Sequence, residues 1–174
     1  DNTDGVGLVR DLSRNNQVSL NGQHILMLGA GGAARGVLTE LIHCAPASIT
    51  IMNRTRSRAE ALRDDLSAEG MMYVRAMNES GGPCYDVVIN ATSTSLKNES
   101  LELGVALFAA NFVAYDMMYG PEKTQFLRWA MAAGAAAAMD GLGMLVEQAA
   151  ESFELWRGKR PETKRVINQI RNSL

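Results

Sequence analysis

Ile25-Leu26-Met27-Leu28 runs directly into Gly29-Ala30-Gly31-Gly32-Ala33-Ala34, and this stretch decides the fold. Four consecutive apolar residues fit a central parallel strand covered on both faces. The glycines that follow remove side chains where a pyrophosphate must approach backbone N–H groups at a helix N-terminus. Over Gly32 to His43, Val37, Leu38, Leu41 and Ile42 form one apolar stripe, so the turn opens a helix. Strand, glycine turn and helix in that order are the context a dinucleotide-binding turn requires. A glycine trio alone also occurs in tight loops of no special function.

One strand further on, Ser48 to Met52 ends in Asn53-Arg54-Thr55-Arg56-Ser57-Arg58. An NAD site ordinarily carries an acid there, which accepts hydrogen bonds from the adenine-side ribose. A carboxylate repels a 2′-phosphate, whereas Arg54 and Arg58 can donate charge-assisted hydrogen bonds to one. Arginine in a first helical turn also opposes the helix dipole, which favours reading these two as kept for an anion. The expected cofactor is therefore NADP. Arg56 reads as the solvated face of the helix start.

The rest of the chain alternates helix and strand. Val6, Val9 and Leu12 give a first helix behind the short polar residues Asn2-Thr3-Asp4. Helices are expected at Arg56 to Ala68, Thr124 to Ala133, Leu142 to Trp156 (ended by Pro161) and Glu162 to Asn172. Further strands are expected at Met71 to Ala76, Asp86 to Asn90, Val113 to Met117 and Ala135 to Ala138. This order predicts an α/β fold: a doubly wound, Rossmann-type parallel sheet of six strands with helices on both faces. Thr92 and Ser93, after the fourth of these strands, face the crevice where open sheets place ligands; each serves equally well as a loop cap.

Composition bounds the alternatives. The chain has 174 residues, 47% of them hydrophobic, which suits one domain with a sizeable core. A formal net charge of -2 gives no global field for nucleic acid or a membrane surface. Cys44 and Cys84 stand alone, and His24 and His43 have no metal-like partners, so no disulfide scaffold or metal site is expected. The most apolar stretches are interrupted by Asn111, Asp116, Gly134 and Asp140. With no signal-peptide pattern either, the expected location is the cytoplasm.

Six motifs in order carry a resemblance along essentially the whole chain. They are Asn2-Thr3-Asp4-Gly5, Gly29-Ala30-Gly31-Gly32-Ala33, Asn53-Arg54-Thr55 with Arg58, Asn90-Ala91-Thr92-Ser93, Tyr115-Asp116-Met117-Met118-Tyr119 and Asp140-Gly141-Leu142-Gly143-Met144-Leu145. The chain resembles the shikimate dehydrogenases. That resemblance implies NADP-dependent reduction of 3-dehydroshikimate to shikimate, in aromatic amino-acid biosynthesis, in a cleft between two domains. It implies that Gly29, Ala30, Gly31, Gly32 and Ala33 cradle the pyrophosphate and that Asn53, Arg54, Thr55 and Arg58 hold the adenosine end. Met117 and Gly141 are implied to line the nicotinamide region and Met144 to pack near the ring, although a Met at helical spacing is also ordinary core filling. Thr92 and Ser93, facing the crevice, are expected to bind the cofactor as well. Asp4, Tyr119 and Gln148 are implied on the substrate side. Asp4 would bind the reacting hydroxyl and partner a catalytic lysine, since aspartates, titrating near ~3.9, store protons poorly at neutral pH. As residue chemistry alone, Asp4 reads equally as a helix N-cap, and Asp140 chiefly as a cap for the long helix.

The family's lysine lies in an Asn-Val-Thr-x-Pro-x-Lys stretch that precedes Asn-Thr-Asp-Gly. Lys97, Lys123, Lys159 and Lys164 all lack that context. Residues 1–174 are thus expected to be the NADP-binding domain, with 1–18 and 141–174 linking to an absent N-terminal substrate domain. The fragment is expected to bind NADP without turning over shikimate. It is also expected to self-associate through apolar surface around Val6, Val9, Leu145 and Phe153. Three rivals stand beside this reading: a quinate/shikimate dehydrogenase with relaxed cofactor use, a glutamyl-tRNA reductase and a non-catalytic NADP-binding module. The Asn2 to Gly5 and Asp140 to Leu145 segments do not fit the reductase.

Overall fold

A computed structural model describes residues 2–66, 70–76, 79, 82–92 and 103–174. Six strands form one parallel sheet in the order β3-β2-β1-β4-β5-β6. They are β1 (His24–Leu28), β2 (Ser48–Met52), β3 (Met72–Arg75), β4 (Tyr85–Asn90), β5 (Phe108–Asp116) and β6 (Ala137–Asp140). The helices are α1 (Asp4–Arg10), α2 (Gly32–His43), α3 (Arg56–Asp65), α4 (Gln125–Ala132), α5 (Leu142–Arg157) and α6 (Thr163–Ser173), with a π-helical turn at Asp11–Asn15 and a 3₁₀ turn at Val105–Leu107.

Alternate residues of each central strand feed different cores, because successive side chains point to opposite faces. Ile25, Met27, Ile49, Ile51, Val87 and Ile89 pack under Leu8 and Leu12 of the first helical segment, Val37, Leu38 and Leu41 of α2, Leu62 of α3 and Met144 of α5. Leu26, Leu28, Met52 and Val88 meet Phe126, Leu127 and Ala130 of α4 on the other face. Both faces of the sheet are covered, and the expected doubly wound architecture is the one observed.

Several boundaries differ from the sequence expectation. β5 begins at Phe108, five residues before Val113. Its pairing with β4 shifts register between Tyr85↔Phe108 and Val87↔Val113, and Asn111 takes a left-handed φ of 65° there. A bulge of this kind breaks the apolar pattern without ending the strand. β6 lies two residues later than Ala135 to Ala138, since an alanine run has no alternation to fix its register. α5 ends at Gly158, whose φ of 65° is left-handed and whose N–H reaches the Glu154 carbonyl at 2.7 Å, so the stop comes three residues before Pro161. α3 ends at Asp65 with Leu66 as its C-cap; the remainder of the expected helix, residues 67–68, lies outside the described residues.

Charged side chains tie α1, α5 and α6 together. Arg160, in the α5–α6 link, reaches Glu147 at 2.5 Å, Glu151 at 2.9 Å and Glu154 at 3.0 Å. Arg10 also pairs with Glu151, and Thr163 Oγ1 and Asn15 Nδ2 donate to Glu147 at 2.7 and 3.2 Å. Burial pushes the Glu147 carboxyl up, but the hydrogen bonds from Thr163, Asn15 and Arg160 outweigh it and hold the group below its ordinary value of 4.5. The folded state therefore binds this proton less readily than the unfolded chain does. The stabilisation is present above pH 4.5 and is lost as pH falls through the lowered folded value. We expect Glu147→Gln to cost about 1–2 kcal/mol at neutral pH and to flatten the loss of stability below that point, as read from urea unfolding across pH. An unchanged acid limb would remove Glu147 from the account.

Asp11 behaves in the opposite sense. It is 4% exposed, and burial raises its carboxyl above the ordinary range against the hydrogen bond from Tyr115. Its share of stability is thus fullest where it is protonated and declines as pH rises. The Tyr115 hydroxyl donates to Asp11 Oδ2 at 2.7 Å and Asn15 Nδ2 donates to Oδ1 at 2.9 Å. This carboxylate sits over Gly143 in the first turn of α5, where a Cβ would collide with it. A negative group there complements the α5 dipole.

Candidate functional site

The glycine turn sits at the carboxyl end of β1, where the strand order reverses between β1 and β4. Gly29 N donates to the Met52 carbonyl at 2.8 Å and Ala91 N donates to the Leu28 carbonyl at 2.9 Å, which ties the turn to the ends of β2 and β4. Gly29 has a φ of +103°, and a Cβ there would press on Thr92 Cγ2 at 3.0 Å. The protein's own packing therefore requires that glycine. Gly31 and Gly32 are different: both are exposed, neither has a positive φ, and a Cβ on either would meet nothing within 4 Å among the described residues. Their lack of a side chain suits a ligand that approaches the backbone at the N-terminus of α2. Ala30 packs against the first core and Ala33 is exposed beside the turn.

Asn53 Nδ2 donates to the Thr55 carbonyl at 2.8 Å, shaping the turn from β2 into α3. Arg54, Thr55 and Arg58 are exposed around it. Arg56 is engaged elsewhere, with Glu60 at 2.9 Å and Glu79 at 3.4 Å. Among the described residues no ion pair reaches Arg54 or Arg58. These two guanidinium groups, one in the turn after β2 and one in the first turn of α3, suit a phosphate.

Behind the crevice lies a polar network that the sequence reading missed. Asn90 ends β4 and Asp116 ends β5; the two are in register, and both are 0% exposed. Asn90 Nδ2 donates to Asp116 Oδ1 at 3.2 Å, while Asn90 Oδ1 accepts from Thr92 N and Oγ1 at 3.1 and 2.6 Å. Met118 N donates to Asp116 Oδ1 at 3.1 Å, and Thr124 Oγ1 donates to Oδ2 at 2.5 Å. Thr124 also caps α4 by accepting from Leu127 N at 3.3 Å. Polar residues closing two neighbouring apolar strands were the available sequence signal. Thr92 is thus held over Gly29, while Ser93 and Lys97 lie outside the described residues.

Met117 and Gly141 are brought together: Gly141 N donates to the Met118 carbonyl at 3.1 Å, and a Cβ on Gly141 would run into the Met117 carbonyl. Met144 is 8% exposed and packs in the first core. Asp140 accepts from Leu142 N at 3.2 Å, but Gly141 is the N-cap of α5 and Asp140 also pairs with Arg171. Asp4 is the first residue of α1, so it is not an N-cap; its own N–H donates to Asn2 Oδ1 at 2.7 Å. Gln148 is half-buried against α1, where Thr3 Oγ1 donates to its Oε1 at 3.2 Å. Tyr119 is 41% exposed in the loop after β5, with no hydrogen bond to Asp4 or Gln148 among the described residues. His24 Nδ1 meets Ser48 Oγ at 2.8 Å and His43 Nδ1 lies 3.5 Å from Glu40, both structural contacts.

On the outer surface, Leu145, Phe153, Leu155 and Trp156 of α5 are exposed. Val6 and Val9 are half-buried, which corrects the expectation that they share this exposed patch. No helix among the described residues is long and apolar enough to cross a membrane.

Comparison with known proteins adds an independent finding. Residues 11–102 match the family model "Shikimate / quinate 5-dehydrogenase" and residues 141–171 match "Shikimate 5'-dehydrogenase C-terminal domain". Among curated proteins, the chain is 52% identical over 171 residues to a shikimate dehydrogenase (NADP(+)) of Alkalilimnicola ehrlichii, covering 98% of this chain and 63% of the relative. It is 52% identical to that of Vibrio cholerae over 174 residues, covering 100% and 62%. The chain therefore spans less than two thirds of these relatives. Among solved structures, an Ael1 enzyme from Pseudomonas putida superposes with a TM-score of 0.88 at 43% identity, covering 96% of this chain and 61% of that one. Shikimate 5-dehydrogenase from Thermus thermophilus, solved in complex with NADP(H) and shikimate, gives 0.80 at 31% identity, covering 99% and 63%.

Proposed function

Because the chain belongs to the shikimate / quinate 5-dehydrogenase family, we propose that it is the cofactor-holding part of an NADP-dependent shikimate dehydrogenase. The observation that carries this reading is the pairing of two side-chain-free, exposed backbone positions at the α2 N-terminus with two arginines that no ion pair reaches among the described residues. Gly31 and Gly32 would admit the pyrophosphate, and Arg54 and Arg58, with Thr55 and Asn53, the 2′-phosphate end. Thr92, Met117 and Gly141 would lie toward the nicotinamide, with Met144 supporting them from the core. When bound, the cofactor exchanges a hydride with the substrate carbon.

In this reading Asp4, Gln148 and Tyr119 serve the substrate. Moving a hydride from an alcohol carbon requires that the hydroxyl proton also leave, so an acceptor must stand within hydrogen-bond reach of that oxygen. The Asp4 carboxylate would accept the hydroxyl hydrogen bond and orient it, and Gln148 would donate an amide N–H to another substrate oxygen. The proton store would be a lysine, as in the family pattern. Among the described residues no lysine contacts Asp4, so the chain alone is expected to bind NADP without oxidising shikimate.

Calorimetric titration of the chain with NADP+ and NAD+ tests the cofactor half. Tighter binding of NADP+ is expected, and equal binding overturns the assignment. Robust shikimate oxidation by the chain alone would overturn the division of labour.

A further inference from the structure

A Cβ built on Gly36, in the second turn of α2, would lie 2.8 Å from Asn2 Nδ2 and 3.1 Å from Asp4 Oδ2. The contact is reciprocal: a Cβ on Gly5 would lie 3.2 Å from the Gly36 carbonyl and 2.7 Å from Glu40 Cγ. The start of α1 thus rests directly on the backbone of the helix whose N-terminus faces the crevice. On its other side α1 is held just as closely, since a Cβ on Gly7 would lie 2.7 Å from Gln148 Cβ and 2.8 Å from the Met144 carbonyl. Thr3 Oγ1 adds contacts to Gln148 Oε1 at 3.2 Å and Ser152 Oγ at 3.0 Å. Close-packed contacts of this kind transmit small shifts rather than absorbing them.

We propose that Gly36 is a positioning residue: it seats Asp4 on the cofactor helix, so that occupancy of the glycine turn is transmitted to the Asp4 carboxylate. Asp4 follows Gly29 to Gly32 in neither sequence nor strand, and the site motifs by themselves do not connect them. The connection is α2 itself. A pyrophosphate held by Gly31 and Gly32 fixes the first turn of α2, and Gly36 stands in the next turn with only a hydrogen between its backbone and the Asn2 and Asp4 side chains. A methyl group there pushes the Asn2 amide and the Asp4 carboxylate aside and so breaks the seat.

The inference rests on the cofactor reading above, and one experiment separates the two. NADP+ is titrated into the 15N-labelled chain while backbone amide resonances are followed. In the unaltered chain the Gly31 and Gly32 amides shift, and the Asp4 and Gly5 amides shift along with them at the same midpoint. In Gly36→Ala the Gly31 and Gly32 shifts and their midpoint persist, and the Asp4 and Gly5 response is lost. Adding Asn2→Ser, which removes the nearest obstructing atom and keeps an acceptor for Asp4 N, restores it; a purely structural defect would show no such rescue. Shifts at Gly31 and Gly32 without any at Asp4 and Gly5 in the unaltered chain overturn the coupling, and do so even if Gly36→Ala fails to fold. An undiminished Asp4 response in Gly36→Ala overturns it as well. No shift at Gly31 or Gly32 overturns the cofactor reading, and the coupling with it.

Discussion

Asp116→Ala is expected to lower the unfolding free energy by about 3–5 kcal/mol, the lower part of what three buried donors lose together with their shared acceptor. The carboxylate is 0% exposed and takes hydrogen bonds from Asn90 Nδ2, Met118 N and Thr124 Oγ1. Removing it leaves donors without their acceptor at the ends of two central strands, each costing about 1–3 kcal/mol if water cannot enter. Asp116→Asn should cost less, since an amide oxygen can still accept on one side while its NH2 cannot accept on the other. Urea unfolding of the three proteins gives the comparison. A loss below about 1 kcal/mol for alanine would mean that the donors find other partners.

Arg54→Ala is expected to weaken NADP+ binding by about 1.5–3 kcal/mol and to leave NAD+ nearly untouched. The asymmetry follows from the 2′-phosphate, which only NADP carries. Because Arg54 is exposed and makes no ion pair among the described residues, its loss should barely move the thermal midpoint. Arg56→Ala is the matched control: its guanidinium is committed to Glu60 and Glu79, so it should not discriminate between the cofactors. Equal losses of NADP+ and NAD+ affinity in Arg54→Ala would reduce that residue to a structural role.

The parts of the fold that follow from local pattern were legible in the sequence. α2 runs over Gly32–His43 as the apolar stripe predicts, and β1 holds the continuous apolar run Ile25 to Leu28. The edges of β5 and β6 were not, because Asn111 interrupts one pattern and the alanines of Ala135 to Ala138 offer none. Of the site, the glycine turn and the arginines could be read because their chemistry is contained in short stretches. The Asn90–Asp116–Thr124 network could not, since its members are 26 and 8 residues apart and meet only through strand register and a loop. The seat of Asp4 on Gly36 was hidden for a related reason. A glycine that exists for another helix's approach looks, in sequence, like any glycine inside a helix.

The contact between α1 and α5 joins residues 145 positions apart, as in the hydrogen bond from Thr3 to Gln148. Contacts so distant along the chain are slow to form, because loop-closure entropy must be met before they stabilise anything. The sheet face under α4 needs nothing from α5, since Leu26, Leu28, Met52 and Val88 meet Phe126, Leu127 and Ala130, all of which precede it in the chain. A growing chain can therefore assemble the strands and the glycine turn before α5 has been made, while the opposite face waits for it. The order of assembly would leave the glycine-turn end of the crevice shaped early and the clamping of α1 between α2 and α5 among the last events of folding.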